Sequence, residues 1–389
     1  MDRSQKSVFA VCFYAFFING VIALIFGAIM PLILTDYGMG YDEGGMLLSI
    51  QSVGNLIASF LGGIVSVYLG RKRAIILLSS MTVLGFFTMI VSSSPAFLLI
   101  PFFLTGIGRG SVSNLSNTIV NDVSEEGTAP LNILHTFFAV GAFMAPFFAS
   151  WALNRGLSWK FVLGVITVMA SIMVILFFTM KIDNSSQARK DKSERGKISL
   201  DFLKNIDFYL SGGILFFYVG VEYAVNGWIV TYLKDTGIMS TSFAQKILSM
   251  LWIIIIFGRL FSAYISRSVD KKTILLASSI GTMFFFVLFL LSSNVWMITA
   301  CILGLGFCLA GIYPTAVSNV GGVLKGSSLA MGTLLGIAGV GGILMPYITG
   351  VVAEKQGIAG GMVAISVAVV LMFVFTLMNK LRGNRQIKA

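Results

Sequence analysis

Long apolar blocks recur along the whole chain, and they limit what it can fold into more than any other feature. Twelve stretches of mainly apolar residues are separated by short polar segments. Each is close to the roughly 20 residues that an α-helix needs to cross a bilayer. The pattern therefore predicts an all-α membrane protein with twelve transmembrane helices. The predicted spans are 8–34, 44–69, 74–93, 96–120, 131–153, 158–180, 209–233, 243–266, 272–292, 295–319, 327–353 and 358–379.

The composition narrows the classes of function. The 389 residues are 57% hydrophobic and only 11% charged, which is too apolar for a soluble protein of this length. No nucleophile–base pair or phosphate-binding loop indicates an enzyme. Cys12, Cys301 and Cys308 all fall inside apolar spans, so we expect neither disulfides nor a metal site, and no bound cofactor.

The distribution of basic residues predicts the orientation in the membrane. Putting both termini in the cytoplasm places twenty Lys and Arg residues in cytoplasmic segments and five in outer loops. Cytoplasmic loops of membrane proteins carry such an excess of positive charge. The net charge of +11 is therefore interpreted as orientation charge and not as a nucleic-acid-binding surface. We expect a multi-pass protein of the plasma membrane with both termini in the cytoplasm.

A charged central segment divides the chain into two halves of six spans. Residues 182–206 form the one long, weakly apolar stretch, and we interpret it as a cytoplasmic linker. The predicted domains are then an amino-terminal six-helix bundle, 1–181, and a carboxyl-terminal six-helix bundle, 207–389.

The two halves resemble each other at a nearly constant offset. Residues 140–146 (VGAFMAP) match 340–346 (VGGILMP), and 106–108 (GIG) match 304–306 (GLG). Two parallel six-helix repeats are one of the repeat plans of secondary transporters, with the solute site near the membrane midplane. The repeat therefore predicts two pseudo-symmetric six-helix bundles, a solute site between them and rocking of the halves for alternating access.

Glu222 is the most informative single residue of the seventh span. It lies near the middle of an apolar run from about residue 210 to 233. A charge at the centre of a bilayer costs roughly 2.5–3.5 kcal/mol on insertion scales, so such residues usually serve a substrate, an ion or a proton. Tyr218 and Asn226 are spaced four residues to either side and share its helix face. We predict that Glu222 binds solute or proton beside these two residues, with Trp228 turned inward by a kink at Gly227 as a stacking surface.

Arg109 and Arg259 leave alternatives open. Arg109 lies mid-span among glycines, where it either binds an anionic solute, takes part in ion coupling, or pairs with Glu222 as a lock between helices. Arg259 lies nearer the cytoplasmic end of its span, so we favour a structural role in which it snorkels toward the interface.

Amide side chains in the amino-terminal half are candidates for binding solute hydroxyl groups, because an amide both donates and accepts hydrogen bonds. Hydrogen bonding between helices is the alternative for any one of them. The only histidine, His135, is a candidate proton relay or an interface packing residue. Tyr313, in the tenth span, is a further candidate for solute binding, and it precedes a proline that is expected to bend the helix. The candidate amides are Asn19, Gln51, Asn55, Asn114 and Asn117.

The twelve spans, the repeat, the charged linker and a basic loop between spans two and three together resemble the major facilitator superfamily. The loop signature of that superfamily survives only in part, because Val67 and Tyr68 occupy its acidic and first basic positions. In the superfamily this loop acts as a cytoplasmic gate. The resemblance implies such a role for the basic loop residues, with Asp122 as a partner. Those basic residues are Arg71, Lys72 and Arg73.

Three stretches resemble the fucose-galactose-glucose:cation symporter branch more closely. They are 131–141, the end of the run 216–228 and 311–315. The resemblance implies sugar transport. In that branch, carboxylates of the amino-terminal half are linked to proton coupling, but spans one and four of this chain carry asparagines. Coupling must then depend on Glu222 or use another ion.

Three functions follow as hypotheses. The first is a symporter of a small neutral solute, best fitting a monosaccharide, driven by a proton or sodium gradient. The second is an efflux antiporter for drugs or lipids, although the span-five antiporter motif is incomplete at Ala145–Pro146. The third is an anion carrier using Arg109, with a monocarboxylate as the acceptable anion, or a non-transporting receptor. In each case we expect a monomer in the bilayer that binds a small molecule and no nucleic acid.

Overall fold

The computed structural model describes residues 3–92, 94–123, 129–180, 201–324 and 327–388. Within these ranges the chain is helical apart from short connections, and it contains no strand. Most of the predicted linker, 182–206, lies outside the described residues. The chain divides into two compact units, residues 1–39 with 46–196 and residues 40–45 with 197–389. They are called unit 1 and unit 2 here.

The first half of the chain contains six long helices. Three of the connections between them contain a glycine with a positive φ, at Gly38 (61°), Gly70 (78°) and Gly156 (72°). The Ser158 side chain accepts a hydrogen bond from the backbone N–H of Phe161 and so caps the sixth helix. The helices are α1 (Arg3–Tyr37), α2 (Tyr41–Leu69), α3 (Arg71–Val91), α4 (Leu99–Val123), α5 (Ala129–Asn154) and α6 (Trp159–Thr179).

The second half contains six spans as well, of which the tenth is interrupted and the last two lie in one helical segment. The tenth span consists of α10 and α11, which meet at Ala310 and Gly311, just before Pro314. The last helix, α13, changes direction at Gly357, where φ is 76° and ψ is 164°. The helices are α7 (Ile206–Asp235), α8 (Thr241–Ile265), α9 (Lys271–Leu291), α10 (Val295–Leu309), α11 (Ile312–Asn319), α12 (Gly321–Leu324) and α13 (Ser328–Lys388).

The described chain has eleven helical segments long and apolar enough to cross a membrane, and the last of them spans Leu329–Gly383. Because Gly357 divides that segment, it accounts for both the eleventh and the twelfth predicted span. The predicted all-α fold with twelve membrane-spanning helices is confirmed.

Residues 40–45, at the start of α2, cluster with unit 2, which the sequence did not predict. The backbone N–H of Tyr41 donates to Glu354 Oε2 at 2.8 Å, and its hydroxyl donates to Asp235 Oδ2 at 3.0 Å. Its ring meets the edge of Trp228 at 6.0 Å. A Cβ at Gly350 would lie 2.4 Å from the Tyr41 carbonyl oxygen, so only glycine allows this approach.

The same close helix crossing occurs in both units. A Cβ on Gly141 of α5 would lie 2.0 Å from the Phe17 carbonyl oxygen of α1. A Cβ on Gly341 of α13 would lie 1.9 Å from the Phe216 carbonyl oxygen of α7. The sequence repeat therefore extends to backbone packing, in which small residues let two membrane helices touch.

The crossing predicts the effect of one added methyl group. Gly141→Ala should lower the free energy of unfolding by about 1–3 kcal/mol, because the new Cβ meets backbone that cannot move aside. Gly164→Ala is the matched control, since nothing lies within 4 Å of a Cβ at that α6 position. Thermal unfolding in detergent measures both, and equal stability of the two variants would contradict the proposed crossing.

Candidate functional site

A polar cluster surrounds Glu222 in unit 2. Glu222 and Tyr218 lie one turn apart on α7, and the Tyr218 hydroxyl is within hydrogen-bonding reach of the Glu222 carboxylate. Tyr218 is only 2% exposed, whereas Glu222 is half-buried. The ring of Tyr313, at the start of α11, lies 6.0 Å from the Tyr218 ring. The structure thus brings together three of the residues predicted to bind solute.

Arg259 of α8 joins this cluster. Trp252 Nε1 donates to Asn226 Oδ1 at 3.3 Å, which sets the register of α8 against α7. Because the two helices run in opposite directions, Arg259 lies at the height of Val219, between the levels of Tyr218 and Glu222. Its positive charge acts on both Tyr218 and Tyr313.

The sequence interpretation of Arg259 missed this position. Arg259 is six residues from the end of α8, which is about 9 Å of helix and far for an interfacial side chain. This distance from the helix end was the feature of the sequence that could have indicated a position inside the membrane for Arg259. No ion pair within 4.0 Å joins Arg259 to Glu222 among the described residues, although both contribute charge to the same two tyrosines. The cluster therefore holds one acid and one base that do not neutralise each other by direct contact.

Asn226 and Trp228 are committed to packing within unit 2. Asn226 is 9% exposed and accepts the Trp252 hydrogen bond. Trp228 is fully buried and donates from Nε1 to the Pro346 carbonyl oxygen at 2.9 Å. Helix α7 runs without interruption through Gly227, so Trp228 is not turned toward Glu222 by a break there. The structure gives Trp228 a packing contact where the sequence suggested a stacking surface.

Two of the amides of unit 1 are paired with backbone carbonyl groups. Asn114 Nδ2 donates to the Ser59 carbonyl oxygen at 2.6 Å, which joins α4 to α2. Asn117 Nδ2 donates to the Ser113 carbonyl oxygen at 2.8 Å on its own helix. These bonds fit the structural alternative that the sequence left open for each amide.

Gln51 and Asn55 lie where α2 crosses α4. A Cβ on Gly106 would lie 2.1 Å from the Gln51 carbonyl oxygen, and one on Gly110 would lie 2.1 Å from the Asn55 carbonyl oxygen. Arg109 is the residue before Gly110, so it lies at the level of these two amides. It is half-buried.

Asn19 lies at the same level on α1. The Phe26 and Phe102 rings lie 4.3 Å apart at a tilt of 36°, and Cys12 hydrogen-bonds to Ser116, so α1 and α4 are antiparallel neighbours. Midway between these two contacts, Asn19 comes to the height of Arg109.

Two amide groups of this layer have buried atoms that lack a hydrogen-bond partner among the described residues. They are Asn19 Oδ1, an acceptor, and Gln51 Nε2, a donor. Asn19 is 2% exposed and Gln51 is 4% exposed. A buried polar atom without a partner costs about 1–3 kcal/mol, so a bound hydroxyl group or water would be favoured there.

His135 lies near the start of α5 and is exposed, with its ring edge-on to Phe16 at 5.4 Å. This contact fits interface packing. The structure adds no observation that tests a proton relay, so that role stays a prediction.

The basic loop between α2 and α3 is anchored within unit 1. The Arg71 guanidinium forms an ion pair with Asp122 of α4, and each side chain is 10% exposed. Lys72 Nζ donates to the Phe178 carbonyl oxygen at 2.7 Å, whereas Arg73 is exposed. The partner suggested for Arg71 is thus present. A gating role for the four residues stays a prediction.

The equivalent loop of unit 2 carries its own ion pairs. Asp270 caps α9 by accepting from the Thr273 N–H, and Lys380 Nζ lies 2.8 Å from Asp270 Oδ2. Arg382 Nε lies 3.3 Å from Asp207 Oδ1. Partial burial by itself raises the pKa of Asp270, but the hydrogen bonds from Lys380 and Thr273 outweigh it and lower the pKa to about 2.

These long apolar helices define the chain as a multi-pass membrane protein with polar groups buried between its helices. The profile of the Major Facilitator Superfamily matches residues 12–325, and the chain belongs to this superfamily. Transporters of this kind bind small-molecule substrates within the bilayer.

Individual relatives share modest identity over most of the chain. A hexuronate transporter of Bacillus subtilis is 25% identical, with 98% of each chain covered. A TsgA homologue of Erwinia tasmaniensis is 21% identical, over 92% of this chain and 90% of that protein. Among solved structures, a bacterial homologue of the human lysosomal transporter Spinster superposes with a TM-score of 0.78 at 13% identity, covering 98% of this chain and 97% of that one.

The ion pair of unit 1 predicts a large effect of removing one partner. Asp122→Asn should destabilise the protein by about 3 kcal/mol, because it leaves the buried Arg71 cation unpaired. Asp201→Asn is the control, since its pair with Lys204 is exposed, at 79% and 82%, and should matter little. Thermal unfolding of both variants checks this, and equal effects would show that the Arg71 pair is not buried in the folded protein.

The lowered pKa of Asp270 predicts a dependence of stability on pH. A carboxylate with a lowered pKa in the folded state stabilises the protein above its ordinary pKa, and this contribution is lost as pH falls toward 2. Because the Asp270 side chain is 56% exposed, the contribution should stay under about 1 kcal/mol. Asp270→Asn should therefore be less stable than the wild type near neutral pH and equal to it near pH 2. A difference that persists unchanged at low pH would contradict this assignment.

Proposed function

We propose that this protein is a secondary active transporter that moves a monosaccharide-sized solute by symport with a proton or another cation, through alternating access. The observation that carries the proposal is the polar cluster around Glu222. A half-buried carboxylate beside Tyr218 and Tyr313 in a membrane helix is costly when charged. Protonation removes that cost, so solute binding and proton binding at one site can be linked.

The amide layer of unit 1 supports a polyhydroxylated solute. Asn19 offers a buried acceptor and Gln51 a buried donor, and neither atom has a partner among the described residues. Solute hydroxyl groups both donate and accept, so they can satisfy the two atoms together. Arg109, at the same height, supplies further donors. A solute that enters this layer loses its hydrogen bonds to water. It regains them only if its hydroxyl groups match the buried acceptor and donor.

The comparisons support the same class of substrate. The hexuronate transporter is named for a sugar acid, and it covers nearly the whole chain. We propose membership of the fucose-galactose-glucose:cation symporter branch, because three stretches including 311–315 resemble it. We further propose a monomer in the plasma membrane with both termini in the cytoplasm, on the distribution of Lys and Arg.

The test of coupling is made at Glu222. Sugars and sugar acids are first screened for thermal stabilisation of the purified protein, and the best ligand is then used for uptake into vesicles with an imposed proton gradient. Glu222→Gln should bind this ligand but fail to accumulate it, because the side chain no longer changes its charge. Facilitated exchange without a gradient should persist.

Glu354→Gln is the control, since this carboxylate bonds to Tyr41 outside the cluster. Both variants should elute from gel filtration as the wild type does. Undiminished gradient-driven accumulation by Glu222→Gln would overturn the coupling role. Loss of drug resistance in a deletion strain, without loss of growth on a sugar, would favour efflux instead.

A further inference from the structure

The charges of the Glu222 cluster are arranged in a way that sugar binding alone does not explain. A neutral solute needs donors and acceptors but no net charge. Arg259 is half-buried, and the Trp252–Asn226 bond places it at the level of Tyr218 and Glu222. A guanidinium inside the membrane is retained only at a considerable cost.

Helices α7, α8, α11 and α13 of unit 2 contribute residues near Glu222. Helix α7 presents Tyr218 and Tyr223, α8 presents Arg259, and α11 presents Tyr313. Helix α13 presents glycine, since a Cβ at Gly342 would lie 2.9 Å from the Tyr223 ring. Among these described groups, Arg259 is the one cation and Glu222 the one carboxylate.

We infer that Arg259 binds a single carboxylate group of the transported solute, and that it does so when Glu222 is protonated. The inference rests on the proposed function and adds a charge to its substrate, a monosaccharide acid. The phenol groups of Tyr218 and Tyr313 lie beside Arg259 and can donate to the same carboxylate. A planar guanidinium suits this partner because it offers two parallel hydrogen bonds.

The sign of the charges explains the order of events. With Glu222 ionised, the cluster is neutral, and an added carboxylate would leave one uncompensated negative charge in a medium of low dielectric constant. With Glu222 protonated, the cluster carries one positive charge, which the carboxylate of the solute neutralises. Proton and solute anion therefore bind together and cross without net charge. The proton is released with the solute when Glu222 ionises again.

The experiment compares sugars that differ mainly in the carboxylate. D-glucuronate and D-galacturonate are tested against D-glucose and D-galactose, by calorimetry on the purified full-length protein, from about pH 5 to pH 8. The affinity for the acids should rise with falling pH by up to about tenfold per unit, as uptake of one proton requires. The neutral sugars should bind weakly and without this dependence.

Three variants separate the roles. Arg259→Gln should lose about tenfold or more of the affinity for the acids, while Arg259→Lys should keep part of it. Glu222→Gln, which imitates the protonated state, should bind the acids with an affinity that no longer changes with pH. Arg267→Gln is the control, since Arg267 lies beyond the end of α8 and is exposed. Gel filtration and thermal unfolding show that each variant is folded.

The outcomes distinguish this inference from the proposed function. Equal binding of acids and neutral sugars, or unchanged binding of the acids by Arg259→Gln, would overturn the inference. Failure of both acids to bind the wild type at every pH would overturn it too. If Glu222→Gln abolishes gradient-driven accumulation of a neutral sugar, the proposed symport holds even though the inference about Arg259 fails. If Glu222→Gln accumulates solute as the wild type does, the proposed function fails.

Discussion

The close approach of backbone to backbone at two glycines is the contact on which the positions of the candidate residues depend. In lipid every backbone group must be satisfied within its own helix, so helices pack through small side chains and shape. Gly141 against Phe17 fixes α5 on α1, and Gly341 against Phe216 fixes α13 on α7. Phe216 lies two residues before Tyr218, so the second crossing holds the stretch of α7 that carries Glu222.

The polar groups then follow from the cost of burying them. In unit 2 the charged cluster is flanked by aromatic rings, while Asn226 and Trp228 are tied to neighbouring helices by hydrogen bonds. In unit 1 two amides are bonded to backbone, and two retain an unused buried atom. Polar groups that already hydrogen-bond to the protein make it more rigid. Polar groups with an unused donor or acceptor are those that a ligand can bind. This difference, more than residue type, separates candidate site from scaffold.

Much of the fold could be predicted from the sequence because its signals are local. The length of the apolar stretches predicted the twelve spans, and turn residues such as Gly38 and Gly156 marked the ends of spans. The site was only partly predictable. Glu222, Tyr218 and Tyr313 stood out, but Arg259 was assigned to the interface, because a single sequence does not show which face of α8 meets α7. The packing role of Trp228 depends on Pro346, which lies more than a hundred residues away.

The repeat has a consequence for how such a protein could have arisen. Positions near an offset of 200 from Glu222, Arg259 and Tyr313 hold Ile22, Ser59 and Ser113, none of which is charged. In unit 1 the backbone at Ser59 instead accepts a hydrogen bond from Asn114. If both halves descend from one duplicated ancestor, the glycine crossing was kept in each copy, whereas the ionisable side chains of the Glu222 cluster were acquired or retained in unit 2 alone. Structural scaffold and chemistry have thus diverged at different rates within a single chain.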